Sequence, residues 1–335
     1  MKKIYVNIAS YRDPLLAATL QSMMGNESGR NKIVYGVFEQ TKLEDSLIRR
    51  QPVYVKSSNV RYKRIDPEYS DGVVWARSIN AMQIYDEEFM YQVDSHMLFD
   101  KDWDNYLIWD YEQAKKLAGT DKIILTTGTK NFEYFGNVIT KHNLEKDITV
   151  NFKYFQFAKH LILRTHGKWI ESTDTVTPGI HTIAGNFFVP SKWVKDVGYN
   201  TNLFFDAEEQ YMSISSLLAG YKIYHQRKIK CYHYLDSAKS STRQDVEPVV
   251  DESRRLANLE RERRELINYI YSLGEEQLNY YKSLTGVDYI NRKLEERAIT
   301  RTVEPDIPVD WEIESAAENA NSGELKEDEQ PKSPT

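Results

Sequence analysis

Short β-rich runs alternate with helical spacings through the first two thirds of this chain. Residues 3–10 alternate apolar and polar side chains and read as a first strand, leading into Tyr11-Arg12-Asp13-Pro14. That proline can open a helix over 15–24. Residues 33–38 and 60–65 read as the next strands, and Asp71-Gly72 starts a helix carrying Trp75, Ile79 and Met82. Phe89-Met-Tyr-Gln-Val93 is an apolar and aromatic run that predicts a buried strand, followed by a helix over 103–117 and a strand over 123–127. Such alternation predicts an α/β sheet whose ligand loops lie at strand C-terminal ends. Residues 130–182 show no regular period and read as an insertion over the active face. Loop and strand follow over 181–190, a short helix over 192–197, an amphipathic helix to Leu218, and last strands at 221–224 and 229–234.

From about residue 248 the period becomes helical. Leu256, Leu259, Leu266, Ile270 and Leu273 fall on one amphipathic pattern, with Gly274 and Gly286 dividing the stretch into three pieces. Beyond Thr302, prolines, acidic runs and scarce aliphatics predict a mostly disordered tail. The expected organisation is a domain over 1–240, a helical C-terminal extension over 241–302 and an acidic tail over 303–335.

Composition changes this picture in three ways. The net charge is −6, but residues 303–335 hold ten Asp/Glu against two Lys, a net of −8, so residues 1–302 carry about +2. The single cysteine, Cys231, rules out an intrachain disulfide and a Cys-based zinc site, and its aromatic neighbours predict a buried thiol. No apolar run approaches the ~18 residues of a membrane span, and the N-terminal run is too short for a signal peptide. The expectation is a reducing, cytoplasmic setting with no membrane partner (host cytoplasm for a phage-encoded enzyme). Neither a G-x-x-x-x-G-K-[ST] loop nor a G-x-G-x-x-G turn occurs, which removes two common nucleotide-binding explanations.

Candidate chemistry lies at three strand ends. Asp94 and His96 follow the 89–93 strand, and positions two apart in an extended chain share a side, so both can grip one ion. A carboxylate with an imidazole suits Mn²⁺ or a similar divalent cation; the plainer alternative is a polar turn. Asp13 either caps the helix opened by Pro14 or, with Arg12, belongs to a nucleotide site. Asp206, Glu208 and Glu209 are candidate catalytic acids, although acids at a helix start also suit the macrodipole. His233 on the final strand is either a core histidine or a third metal ligand. Ser10, Arg12, Glu39, Arg77 and Asp94 are the candidate nucleotide-contacting residues. A divalent ion bridging the oxygens of a departing diphosphate explains why these types would occur together.

Five ordered motifs carry a resemblance over residues 4–235: Ile8-Ala-Ser-Tyr-Arg-Asp-Pro14, Trp75-Ala-Arg77, Gln92-Val-Asp-Ser-His-Met97 with Phe99 and Trp103-Asp104, Leu203-Phe-Phe-Asp-Ala-Glu-Glu209, and Cys231-Tyr-His233. Together they resemble the GlcNAc-transferase family typified by enzymes that glycosylate hydroxyproline on the ubiquitin-ligase subunit Skp1. Asp94-Ser-His96 also resembles the metal motif of polypeptide GalNAc-transferases. The resemblance implies a GT-A (Rossmann-like, nucleotide-sugar-binding) α/β fold with a C-terminal helical appendage, and retaining, metal-dependent transfer from a UDP-sugar. It also implies Asp94, His96 and His233 as metal ligands, Arg12 and Arg77 on nucleotide or diphosphate, and Glu208 or Glu209 beside the donor sugar or acceptor. Phe-Phe-Asp-Ala-Glu-Glu replaces the family's usual Phe-Phe-Gly-Glu-Glu, leaving the catalytic acid open. Leu98 replaces the usual arginine, leaving the donor open between GlcNAc-like and pentose.

The leading expectation is therefore a metal-dependent glycosyltransferase acting on an acceptor hydroxyl, which the family suggests is on a protein. A phage-type DNA glycosyltransferase acting on hydroxymethylated cytosine is the alternative. It requires base flipping and a basic groove, for which Arg243, Arg254, Arg255, Arg261, Arg263 and Arg264 are candidates; the acids interleaved among them favour a solvated helical face instead. A non-catalytic binding module on the same scaffold is a further alternative.

Overall fold

The computed structural model describes residues 1–135, 138–142, 148–157, 161–172, 174–235 and 252–300; the expected tail at 303–335 and Arg243 lie outside them. The strands are β1 (Lys3–Tyr11), β2 (Lys32–Gln40), β3 (Val60–Ile65), β4 (Phe89–Val93), β5 (Met97–Phe99), β6 (Ile123–Thr126) and β7 (Lys130–Phe135). They continue as β8 (Val138–Lys141), β9 (Ile148–Phe157), β10 (Leu163–Glu171), β11 (Thr177–Gly179), β12 (Asn186–Pro190), β13 (Lys222–His225) and β14 (Cys231–Tyr234). The principal helices are α1 (Leu16–Gly25), α2 (Val73–Ala81), α3 (Trp103–Ala118), α4 (Glu208–Leu218), α5 (Glu252–Ser272) and α6 (Gly274–Thr285).

Among the described residues the main sheet runs β11-β13-β6-β12-β4-β1-β2-β3. β4 is buried at all five positions, as expected of an apolar run covered on both faces. β3, with Arg61, Lys63 and Arg64, takes the outer position, where charge discourages further strand pairing. β1 pairs in parallel with β2 and β4, so Ile8 lies beside both Val37 and Val93. The C-terminal ends of β1, β2 and β4 therefore share one rim. β12 runs antiparallel to β4 and brings its preceding loop to that rim.

Alternation along β1 sends Ile4, Val6 and Ile8 into one apolar cluster and Tyr5 into another. α1 and α3 close the first through Leu16, Leu20, Trp103 and Leu107. α2 and α4 join the second, which also takes Leu266 and Ile270 of α5 and Leu278 and Tyr281 of α6. The C-terminal helices thus share the sheet's own core. The buried stripe of α5 is Glu262, Leu266 and Ile270, whereas Leu256 is exposed.

Two expectations need correction. Residues 130–182 are not an irregular insertion: β7 and β8 pair with β14 and β5 in a four-stranded sheet, and β9 and β10 form a long antiparallel ribbon. The ribbon escaped notice because Thr149 and Lys153 are buried beside Tyr154, so no apolar alternation marks it. The helix expected to begin at Asp71 begins at Val73, because Gly72 holds φ at 98°, outside helical backbone.

Candidate metal and nucleotide-sugar site

Asp94 follows β4 directly, and the chain turns through Ser95 and His96 into β5. β5 pairs antiparallel with β14, placing His233 opposite Met97. The Tyr234 N–H donates to the His96 carbonyl at 3.0 Å, which locks the two histidines together. Their Nε2 atoms stand 2.9 Å apart, and His233 Nε2 lies 3.6 Å from Asp94 Oδ2. Ligand atoms of Asp94, His96 and His233 all lie within 4.8 Å of one another.

Asp13 determines how His96 presents itself. Its Oδ1 accepts from the Leu15 N–H at 2.8 Å, while Oδ2 lies 2.6 Å from both Ser95 Oγ and His96 Nδ1. One carboxylate therefore closes the turn that precedes α1 and also orients the imidazole. With Nδ1–H donating to Asp13, the Nε2 lone pair of His96 faces His233, the arrangement in which histidines bind metals. Two Nε2 lone pairs at 2.9 Å repel unless a proton or cation lies between them.

The electrostatics agree with that geometry. Burial raises the Asp94 carboxyl, but the His233 hydrogen bond and the Arg77 and His96 charges outweigh it and hold it well below the usual range. Burial lowers the His96 imidazolium, but the hydrogen bond and charge of Asp13 reverse the sign and raise it. Gly185, before β12, backs Asp94 so closely that a Cβ there would come 2.3 Å from Asp94 Oδ2.

The remaining candidates divide between the open cleft and its supports. A cleft of about 890 Å³ adjoins the trio, with Arg12, Glu39, Asp94, His96 and Asp206 in its lining. Arg12 has a left-handed backbone, φ 49°, and its N–H donates to the Gln40 carbonyl at 3.0 Å. Glu39 is buried and accepts from the Leu47 N–H and Tyr62 hydroxyl at 2.9 and 2.5 Å, so it secures the segment carrying Asp45 and Arg50 into the cleft. Ser10 is buried and is not among the lining residues.

Arg77 is 4 % exposed and lies beneath the site. Its Nη2 donates to Asp94 Oδ1 at 2.6 Å, and its Nη1 pairs with Glu208. Glu208, 2 % exposed, is pushed up to about 7 by burial and by the charges of Glu209 and Asp94, against the pull of Arg77. Glu209 is more open: Oε1 accepts from the Ala184 N–H at 3.0 Å, and Oε2 lies 3.4 Å from His181 Nε2. Cys231 is buried and its thiol is pushed up to about 12, which excludes a thiolate nucleophile.

Sequence reasoning treated Asp13 as either a helix cap or a site residue; the N-cap of α1 is Leu15, and Asp13 closes the turn before it with one oxygen and meets Ser95 and His96 with the other. Gly185 and the contributions of Arg254, Asn258 and Leu259 of α5 to the cleft went unnoticed. A glutamate on the apolar stripe of α5 was a readable signal that this helix does more than face solvent.

The family model for Glycosyltransferase (GlcNAc) matches residues 3–54 and 48–282. No curated protein is significantly similar in sequence. The structure resembles GalNAc-T7 crystallised with UDP, GalNAc and Mn²⁺, at 13% identity and TM-score 0.55, over 70% of this chain and 44% of that one. This chain thus spans less than half of GalNAc-T7, and the likeness establishes the GT-A fold. S. aureus TarS 1-349 in complex with UDP-GlcNAc aligns over 88% of this chain and 77% of that one, at 13% identity and TM-score 0.41.

Proposed function

This chain belongs to the GlcNAc glycosyltransferase family, and we propose that it is a metal-dependent enzyme moving a sugar from a UDP-sugar to an acceptor hydroxyl. The observation that carries this reading is the convergence of Asp94, His96 and His233 beside a cleft large enough for a nucleotide sugar. That GalNAc-T7 crystallised with UDP and Mn²⁺ supports the same donor and ion class.

In this reading Asp94, His96 and His233 hold Mn²⁺ or a similar divalent cation. When bound, the ion supplies positive charge to the diphosphate oxygens as the bond from anomeric carbon to phosphate oxygen breaks. Asp13 keeps the His96 lone pair directed at the ion. Arg77 holds Asp94 from behind and tethers Glu208, which makes Arg77 and Glu208 positioning residues. Arg12 and the segment secured by Glu39 meet the nucleotide. Glu209, anchored by the Ala184 N–H yet open on its other side, and Asp206 at the cleft wall are the acids available to orient sugar or acceptor hydroxyls. The new bond joins the anomeric carbon to the acceptor oxygen, with retention as the family resemblance implies.

Among the described residues, two of the arginines that a DNA groove would need are engaged within the protein: Arg254 donates to the Glu68 and Ser70 carbonyls, and Arg261 pairs with Asp71. A protein hydroxyl, which the family resemblance suggests, is therefore the preferred acceptor in this reading.

Mn²⁺-dependent hydrolysis of a nucleotide-sugar panel tests the reading, run with and without a hydroxyproline peptide or hydroxymethylcytosine DNA. UDP-sugar turnover stimulated by the peptide is expected. Turnover of no donor, with Asp94→Ala matching the wild type, would sink the enzyme reading; stimulation by DNA would reverse the acceptor.

A further inference from the structure

Helix α4 begins without a cap of its own. Its N-cap is Ala207, which has no side-chain oxygen to offer the amides of the first turn, and Glu208 and Glu209 stand in that turn. The loop that enters the helix is instead held from α5. Glu262 is 1 % exposed, and its Oε1 accepts from both the Phe205 and Ala207 N–H groups at 2.8 Å. The Asp206 N–H adds to the same field, so successive backbone amides converge on one carboxylate as in an anion-binding nest.

The same helix reaches across the cleft to a second loop. Arg254 donates to the Glu68 and Ser70 carbonyls, each at 2.8 Å, and Arg261 pairs with Asp71 at 2.9 Å. The two loops also meet each other: the Val73 N–H donates to the Phe204 carbonyl at 3.3 Å, and a Cβ on Gly72 would come 2.6 Å from the Phe204 ring. Ser70, Gly72, Phe204, Phe205 and Asp206 all line the cleft.

We infer that Glu262 is a positioning residue of the sugar-transfer site, acting through the 205–207 backbone to hold Glu208 and Glu209 in register with Asp94. Burial of a carboxylate on the apolar stripe of α5 is costly unless hydrogen bonds answer it, and the amides of the 205–207 loop do so. Loss of that acceptor frees the entry of α4, and with it Glu208, Arg77 and the back of Asp94.

The activity arm of the test rests on the proposed glycosyl transfer; the amide arm does not. In the full chain, Glu262→Ala and Glu262→Gln are compared with the wild type for Mn²⁺-dependent UDP-sugar turnover, melting temperature and amide hydrogen exchange over 203–209. Glu262→Ala is expected to lose roughly 100-fold in kcat, as misplaced reacting groups do, with KM within about threefold. Exchange over 203–209 should rise in the same variant. Glu262→Gln keeps an acceptor oxygen and should stay within about threefold of wild type in kcat. Wild-type kcat and exchange in Glu262→Ala, or equal losses in both variants, would overturn the assignment. Should Glu262→Ala not fold, the wild-type amides decide: Phe205 and Ala207 must be as protected as the α4 interior, and fast exchange there refutes the contact. Should the wild type turn over no donor, the enzyme reading fails while the exchange result still stands.

Discussion

The two walls of the site are assembled by different kinds of physics. On the metal wall, Asp94, His96 and His233 are placed by strand geometry, through a two-residue spacing and one antiparallel register. Their supports, Asp13 and Gly185, lie on adjoining strand-end loops. On the carboxylate wall, Glu208 and Glu209 sit on a helix whose position depends on a buried cation, Arg77, and a distant glutamate, Glu262. The metal wall is built from short-range constraints and is partly exposed. The carboxylate wall depends on desolvated charges that must be satisfied together. The first should tolerate distant changes, and the second should not.

The largest effect belongs to the metal wall itself. His233→Ala should lower UDP-sugar turnover by roughly 10³-fold with little change in melting temperature; Asp94→Ala should lose as much turnover but also unpairs Arg77 and should lower the melting temperature, and chelation of the wild type should match the loss of turnover. Turnover that survives both substitution and chelator would place the chemistry elsewhere.

Arg77→Ala should affect the fold first. It leaves Asp94 and Glu208 facing each other without the guanidinium, at a cost of about 3–5 kcal/mol in chemical denaturation. A loss below about 1 kcal/mol would mean that the carboxylate wall is no more interdependent than the metal wall.

Asp13→Asn is a smaller change on the metal side. The amide keeps an oxygen but loses the charge that fixes the His96 tautomer, so Mn²⁺ affinity by calorimetry should fall about 10- to 100-fold. Unchanged affinity would reduce Asp13 to closing the turn before α1.

The smallest effect is a pH slope. Burial raises Glu208 from 4.5 to about 7, so the folded state holds a proton that the unfolded chain releases at lower pH. Stability from this group is complete below 4.5 and falls as pH rises toward 7. Melting curves across that window should show the decline in the wild type and a flatter profile in Glu208→Gln. Equal slopes would show that Glu208 is ionised throughout, paired with Arg77.

Much of this division was legible beforehand. The strands were visible because β1 alternates and β2 and β4 carry apolar runs, and the Asp94–His96 pair because extended chains repeat every two residues. Arg77 was harder to place. The family resemblance implies a nucleotide or diphosphate contact for it, and only the tertiary structure shows that it answers two carboxylates inside the protein. The 148–171 ribbon was invisible because its buried positions include Thr149 and Lys153.

The sequence by itself determined the α/β order, the strand ends at which chemistry gathers and the side chains that could bind a cation. Local periodicity and residue chemistry act over a few residues and need no partner. Only the tertiary structure decided that His233 faces His96, that Arg77 lies beneath Asp94 and that Glu262 holds the loop entering a helix more than fifty residues away. Each of those depends on strand register or helix packing between distant segments, and a buried charge takes its role from whichever partner the fold delivers to it.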